Sequence, residues 1–112
     1  MYRYGLVGNC QVSALISDRG AVGWMCLPRP DSPPVFGGIL DPDGGRFSIA
    51  SPTPPERQRT SQRYLPNTNI LITVVTLDSG ESFQITDFCP RFEQYGRMYR
   101  PAALFRIVEA VS

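Results

Sequence analysis

Apolar and polar residues alternate along most of this chain with a period of two. In the segment 11–17, for example, Val12, Ala14 and Ile16 share one face, and the other face is polar except for Leu15. Because successive side chains of a strand point to opposite faces of a sheet, this alternation predicts β-strands. The predicted strands are 11–17, 21–27, 46–50, 60–65, 69–77, 82–88 and 103–111, and residues 4–8 are predicted to be extended.

Turn residues separate these segments. Gly20 and Gly80 each follow an aspartate and one further residue, and this order predicts two tight hairpins because glycine accepts a positive φ. Sustained helical periodicity is missing from the sequence. Residues 35–40 are predicted to be a helical turn or a loop, and residues 93–101 a polar loop. The predicted fold class is therefore all-β, an antiparallel β-sandwich of about seven strands.

The length of 112 residues predicts one domain, residues 1–112. The last predicted strand runs almost to Ser112, so an edge of its sheet would lack a partner. We therefore expect a piece of a longer protein, or a partner chain that covers the edge. An open edge also leads us to expect a homo-oligomer when the piece is alone.

The composition excludes several classes of catalytic and metal-binding site. The chain contains no histidine, which excludes Ser-His-Asp and Cys-His catalysis and histidine metal ligands from within it. Eleven basic and ten acidic residues give a net charge of +1, so nothing favours nucleic acid or an acidic membrane surface as a partner. We expect no metal and no cofactor.

The cysteines indicate the compartment. Cys10, Cys26 and Cys89 are odd in number and widely spaced, which argues against a disulfide framework and against a zinc site. We expect buried free thiols in a cytoplasmic protein. Neither an apolar run of ~18 residues nor a signal-peptide pattern occurs in the sequence.

Four prolines between residues 28 and 34 surround Arg29 and Asp31, directly after an apolar strand that contains Trp24. Proline fixes φ and cannot donate a hydrogen bond to a sheet, so the chain leaves its sheet here along a stiff path. Such a loop presents its two charged side chains at a defined position.

Four strings occur together in a characteristic order: YGLVGNC at 4–10, WMCLPRPDSP at 24–33, RYLPNTN at 63–69 and TDFCPR at 86–91. In this order and spacing they resemble the N-terminal domain of glycoside hydrolase family 15 proteins, the bacterial glucoamylase and trehalase-like group. The chain departs from that family at Pro30, where phenylalanine is usual.

The resemblance implies a β-supersandwich that precedes an (α/α)6 barrel. In that family the barrel carries the two catalytic glutamates of an inverting mechanism. We therefore expect a non-catalytic accessory domain that packs against its own barrel. The complete protein would hydrolyse α-glucosides such as trehalose or maltooligosaccharides, while this piece alone is not expected to be an enzyme.

Two alternatives stay open for the candidate site. Arg29 and Asp31 would hydrogen-bond sugar hydroxyls and Trp24 would stack on a sugar ring, or else the two charges pair with each other and Trp24 packs in the core. Asp31 and Asp87 are the best-placed carboxylates, but neither is expected to be catalytic, and Asp87 is expected to fix the turn before Pro90. A sugar platform would consist of Tyr64, Tyr95 and Tyr99.

Two rival functions belong to other classes. The chain would be a stand-alone carbohydrate-binding β-sandwich, or an interaction module that self-associates through its open sheet edge.

Overall fold

The computed structural model describes residues 4–51 and 55–111. Within them the chain forms ten β-strands and one short 3-10 helix, Pro55–Arg57. The strands are β1 Tyr4–Gly8, β2 Ser13–Ser17, β3 Val22–Cys26, β4 Pro34–Phe36, β5 Gln58–Tyr64, β6 Leu71–Leu77, β7 Ser82–Phe88, β8 Phe92–Gln94, β9 Arg97–Tyr99 and β10 Phe105–Ala110. The predicted all-β, antiparallel sandwich is confirmed, with more strands than the seven expected.

Two four-stranded antiparallel sheets make up the sandwich. The first has the order β1-β2-β3-β4 and the second has the order β10-β7-β6-β5. Strands β8 and β9 form a separate two-stranded sheet. The predicted hairpins are present, and their glycines Gly20 and Gly80 have φ angles of 82° and 91°, which side chains other than glycine rarely adopt.

The core lies between the two large sheets. Its buried members are Val7, Val12, Ala14, Ile16, Val22, Met25, Leu71 and Cys89. The sheets approach closely at Gly5, where an added Cβ would lie 2.6 Å from a methyl group of Leu71. Apolar residues from both sheets therefore bury one another, which is the main stabilising contribution to such a fold.

Two polar side chains of β5 also connect the sheets. The amide of Gln62 donates to the Ser17 carbonyl at 2.5 Å and to the Thr73 hydroxyl at 2.9 Å. The Tyr64 hydroxyl donates to the Leu6 carbonyl at 2.9 Å and accepts from the Leu6 amide at 2.8 Å. β1 is an edge strand, so its outer backbone groups could pair with another strand. At Leu6 these groups are instead hydrogen-bonded to the Tyr64 hydroxyl.

Two local predictions, for 46–50 and 93–101, are wrong, and a third, for 35–40, is confirmed in part. The segment 46–50 makes only one bridge, between Phe47 and Val22, instead of a strand. The segment 35–40 begins within β4, an edge strand, but then forms a turn in which the amides of Leu40 and Asp41 donate to the Gly37 carbonyl at 3.1 and 3.2 Å, so the predicted turn is present after Phe36. The predicted loop at 93–101 contains the β8–β9 hairpin, whose turn residues Tyr95 and Gly96 both have positive φ angles.

All three cysteines are free. Cys26 and Cys89 are buried as predicted, whereas Cys10 is exposed in the turn between β1 and β2, where its φ is 73°. Nowhere in the described ranges does a helix have the length and apolarity needed to cross a membrane.

Candidate functional site at one end of the sandwich

The proline loop after β3 holds an ion pair. The Arg29 guanidinium donates from Nε to Asp31 Oδ1 at 2.9 Å and from Nη2 to Oδ2 at 2.5 Å. The Ser32 hydroxyl accepts from the Arg29 amide at 3.2 Å and keeps the loop compact. Both charged side chains remain about two-thirds exposed, at 66% and 68%. Arg29 and Asp31 are therefore paired with each other and still accessible to a ligand.

Trp24 lies on β3 and is opposite Leu15 in the sheet register. Its side chain is half-buried and does not belong to the core cluster. No hydrogen bond joins Trp24 to Arg29 or Asp31 in the described part of the chain. The sandwich therefore pairs Arg29 with Asp31, and Trp24 presents a partly accessible ring on β3.

The four strings at 4–10, 24–33, 63–69 and 86–91 are far apart in sequence, yet they converge at one end of the sandwich. A groove of about 1060 Å³ is lined there by Gly8, by residues 64–69 and by residues 88–91. A smaller neighbouring cavity of about 300 Å³ is lined by Gly8, Cys10, Pro30 and Asn69. The larger space is called the end groove below.

The end groove has apolar and aromatic walls with polar groups on its rim. Tyr64, Phe88 and Phe92 contribute rings, and Asn67, Asn69 and Arg91 contribute polar side chains. The three polar side chains are exposed or at the surface and make no side-chain hydrogen bond to other described residues. Such a surface can bind either a sugar or a protein segment through apolar contact and hydrogen bonds.

Asn9 holds the segments that meet at this end. Its side-chain amide donates to the Pro90 carbonyl at 2.7 Å and to the Pro101 carbonyl at 2.8 Å. Its oxygen accepts from the amides of Gln11 and Val12 at 2.9 and 3.1 Å. Asn9 is 2% exposed and its donors and acceptor are all used, so it positions three loops and cannot itself contact a ligand.

Asp87 and Arg106 form a buried ion pair away from the proline loop. Arg106 Nε donates to Asp87 Oδ1 at 2.6 Å, and the two side chains are 3% and 0% exposed. The Arg106 guanidinium also donates to the carbonyls of Phe47 and Gly20 and lies 4.7 Å from the centre of the Phe47 ring. The expectation that Asp87 fixes the turn before Pro90 is wrong, because its partner is Arg106.

The surroundings of the two carboxylates argue against Asp31 as a general acid and against any substrate contact by Asp87. The Arg29 guanidinium lowers the pKa of Asp31, whereas a general acid needs a raised pKa. Burial raises the pKa of Asp87, although the hydrogen bonds from Arg106 oppose the rise. That carboxyl has no exposed surface and cannot reach a substrate. Throughout the described ranges, no three His, Cys, Asp or Glu side chains are grouped to bind a metal.

The three tyrosines of the predicted platform have different surroundings. Tyr64 lies at the end groove with its hydroxyl bonded to Leu6. Tyr99 stacks on Phe92 with the ring centres 5.3 Å apart, and Tyr95 projects from the hairpin turn with 88% of its surface exposed. The three rings therefore differ in their contacts and in their exposure.

Sequence reasoning missed Asn9 and Arg106 as organising residues. Asn9 follows Gly8 at a strand end, a position where Asn often bonds to nearby backbone groups, and that signal was readable. Arg106 interrupts an alternating strand, but its partner Asp87 is identified only by the pairing of β10 with β7.

Comparisons of the sequence with known proteins find similar segments in several trehalases. The chain is 42% identical over 80 residues to a trehalase of Mycolicibacterium smegmatis. This match covers 69% of this chain and 11% of that relative. It is 32% identical over 109 residues to a trehalase of Thermoplasma volcanium, and the match covers 97% of this chain and 17% of that relative. It is 40% identical over 86 residues to trehalase 1 of Sulfolobus acidocaldarius, with coverages of 77% and 14%.

The chain thus spans between 11% and 17% of the length of these curated relatives. No solved structure matches it. Residues 1–109 match the family described as trehalase-like, N-terminal, and the chain therefore belongs to that family.

Proposed function

We propose that this chain is a non-catalytic accessory domain of a trehalase-like glycoside hydrolase. It packs against a catalytic domain in the remainder of a longer protein and stabilises it. The observation that carries the proposal is the family match over residues 1–109, together with the small share of each trehalase that the match covers. The lowered pKa of Asp31 and the burial of Asp87 argue against these two residues as catalytic acids, in keeping with the proposal.

The finer assignment is glycoside hydrolase family 15, with the catalytic glutamates on an (α/α)6 barrel and an α-glucoside such as trehalose or a maltooligosaccharide as substrate. It rests on the four strings quoted above. A cytoplasmic location is supported by three free cysteines, two of them buried, because thiols stay reduced in that compartment.

The test compares the 112-residue chain with the longer protein that contains it. We expect the longer protein to release glucose from trehalose and the 112-residue chain to release none. Removing residues 1–112 from the longer protein should lower its thermal midpoint and its activity together. Glucose release by the 112-residue chain at an enzyme-like rate would refute the accessory role.

Within this function we propose that the proline loop contributes to the substrate site. The exposure of the Arg29–Asp31 pair supports a contact with sugar hydroxyls, and the half-buried ring of Trp24 supports stacking. The double variant Arg29→Ala and Asp31→Ala in the longer protein should raise the KM for its glucoside. An unchanged KM with a lowered thermal midpoint would assign the pair a purely structural role.

A second candidate is a carbohydrate-binding sandwich, favoured by the aromatic walls and amide rim of the end groove. Titration calorimetry of the 112-residue chain with trehalose, maltose and maltotriose tests it. Heat that disappears in the variant Asn67→Ala with Asn69→Ala would support sugar binding. Absence of heat from all three sugars would reject it.

A further inference from the structure

The β8–β9 hairpin is exposed along its whole length. Every residue from 91 to 100 is exposed, and Tyr95 and Met98 present 88% and 51% of their surface. The hairpin forms its own two-stranded sheet beside the two large ones. A two-stranded hairpin is marginally stable in water unless it packs against something else, and stacking of Phe92 on Tyr99 is the ring contact it makes internally.

The hairpin continues the surface of the end groove. Arg91 and Phe92 line the groove and lead directly into β8. Tyr64, Phe88 and Phe92 contribute rings to the groove, and Tyr95 lies at the hairpin tip just after β8. Aromatic residues, methionine and arginine are the side chains enriched at the centres of protein interfaces. We call the end groove and the β8–β9 hairpin together the docking face.

The docking face is basic. Residues 91–100 contain three arginines, Arg91, Arg97 and Arg100, against one glutamate, Glu93. A symmetric contact between two copies would bring these like charges together, which disfavours self-association through this face. Complementarity instead requires a partner surface with an apolar recess and an acidic rim.

We infer that the docking face holds the catalytic part of the same polypeptide, through an apolar recess with carboxylates around it. This inference rests on the proposed accessory function and names the surface that performs it. The matched segment covers at most 17% of the trehalases compared, so most of each relative is available to supply the recess. Tyr95 and Met98 would enter the recess, and the arginines would pair with its rim.

The experiment uses the longer protein. A Tyr95→Cys variant in a Cys10→Ser background is treated with a thiol-to-carboxylate crosslinker, and the linked peptides are mapped by mass spectrometry. We expect links to acidic residues beyond residue 112 and loss of those links in Arg97→Glu with Arg100→Glu. Links confined to residues 1–112, or links between two copies, would overturn the inference.

A stability measurement gives an independent readout. The variant Tyr95→Ala with Met98→Ala should lower the thermal midpoint of the longer protein or divide its unfolding into two transitions. Leu40→Ala is the matched control because Leu40 is an exposed apolar side chain, 76% accessible, outside the docking face. Equal effects of the two variants would count against docking.

The two proposals fail in different ways. A longer protein that gives the expected crosslinks but releases no glucose from trehalose would refute the proposed function alone. A longer protein that hydrolyses trehalose while Tyr95 stays freely accessible would refute the docking face alone.

Discussion

At the scale of single residues, Arg106 joins elements that lie far apart in the chain. Its guanidinium pairs with Asp87 in the second sheet and donates to the carbonyls of Gly20 and Phe47, beside the first sheet. Burying a charged side chain without its partner costs free energy, because the charge loses its hydration and no ion pair replaces it. The pair therefore fixes how the two sheets are placed more than it contributes net stabilisation.

We predict that Arg106→Met lowers the free energy of unfolding by about 3 kcal/mol, because it leaves the Asp87 carboxylate and the Gly20 carbonyl without their donor, while the Phe47 carbonyl keeps the Val22 amide. Adding Asp87→Leu to this variant should recover part of the loss, since the unpaired charge is then removed. Urea unfolding measures both effects.

The matched control is Arg57→Met, which breaks the exposed pair between Arg57 and Asp78, where the side chains are 62% and 55% accessible. Solvent screens such a pair, so a loss of about 0.5 kcal/mol or less is expected. Equal losses for the two arginine variants would contradict a special role for Arg106.

Cys89 makes the fold sensitive to alkaline pH. Burial, and secondarily the charge of Asp87, raises the pKa of the Cys89 thiol to about 11. The unfolded chain releases this proton first, so the stabilising contribution of the thiol is complete below about pH 8.5 and is lost as the pH rises toward 11. The fold should lose up to about 1.4 kcal/mol per pH unit in this range from this group.

The measurement is the slope of unfolding free energy against pH between 8.5 and 11. Cys89→Ala should have a shallower slope than the parent chain, and Cys10→Ala is the matched cysteine control at an exposed position. A parent-like slope in Cys89→Ala would show that other groups cause the dependence.

The burial of single residues was only partly predictable from sequence. Alternation correctly indicated strands around Ile16 and Ile85 because apolar burial repeats every second residue there. It could not show that Arg106 points inward, since the compensating carboxylate is 19 positions away and becomes a neighbour only through the β10–β7 register. The exposure of Cys10 depends on a turn with positive φ, which its apolar character did not reveal.

At the scale of secondary-structure elements, the edges of the sheets differ in how they are protected. The outer side of β1 is occupied at Leu6 by the Tyr64 hydroxyl, which both donates and accepts there. Edge strands with free backbone groups pair readily with other chains, so such a side-chain cap limits aggregation. One hydroxyl thus protects an edge and connects the two sheets.

Tyr64→Phe is predicted to lower the free energy of unfolding by about 1 kcal/mol, the usual net value of a hydrogen bond. Hydrogen exchange of the Leu6 amide should become faster in this variant. Tyr99→Phe is the control, because the Tyr99 ring stacks on Phe92 and its hydroxyl bonds to none of the described residues. Unchanged exchange at Leu6 in Tyr64→Phe would contradict the cap.

The long strands were predictable as elements and the short ones were not. Strand β6 is a seven-residue run rich in β-branched residues, and β7 alternates at Phe83 and Ile85 and matches its predicted bounds. The three-residue strands β4, β8 and β9 are too short for a period of two to be distinguished from a loop. The dipeptide Tyr95-Gly96 could have indicated the hairpin, because glycine is favoured in the two-residue turns that connect hairpin strands.

At the scale of the whole molecule, β10 forms one side of the second sheet and pairs with β7 alone among the described strands. Phe105, Ile107 and Val108 on this strand are each about half exposed. An open edge with exposed apolar side chains favours association. We propose that the 112-residue chain self-associates through β10 when the remainder of the protein is absent.

Size-exclusion chromatography with light scattering over a range of concentrations tests this proposal. Ile107→Lys should shift the 112-residue chain toward monomer, because a charge on an edge strand opposes strand pairing. Val35→Lys provides the control on β4, the edge of the other sheet, where the replaced side chain is similarly exposed. A parent chain that stays monomeric at high concentration would contradict self-association.

Each large sheet is assembled from one continuous part of the polypeptide: β1 to β4 all precede residue 37, and β5 to β7 and β10 all follow residue 57. The backbone passes between the halves once, while Arg106, Gln62 and Asn9 bridge them noncovalently. The architecture therefore suits fragment complementation, in which two separately expressed pieces divided near Ser51 reassemble. The same architecture permits two molecules to exchange halves. A reporter that is divided at this position would therefore detect the association of two such chains.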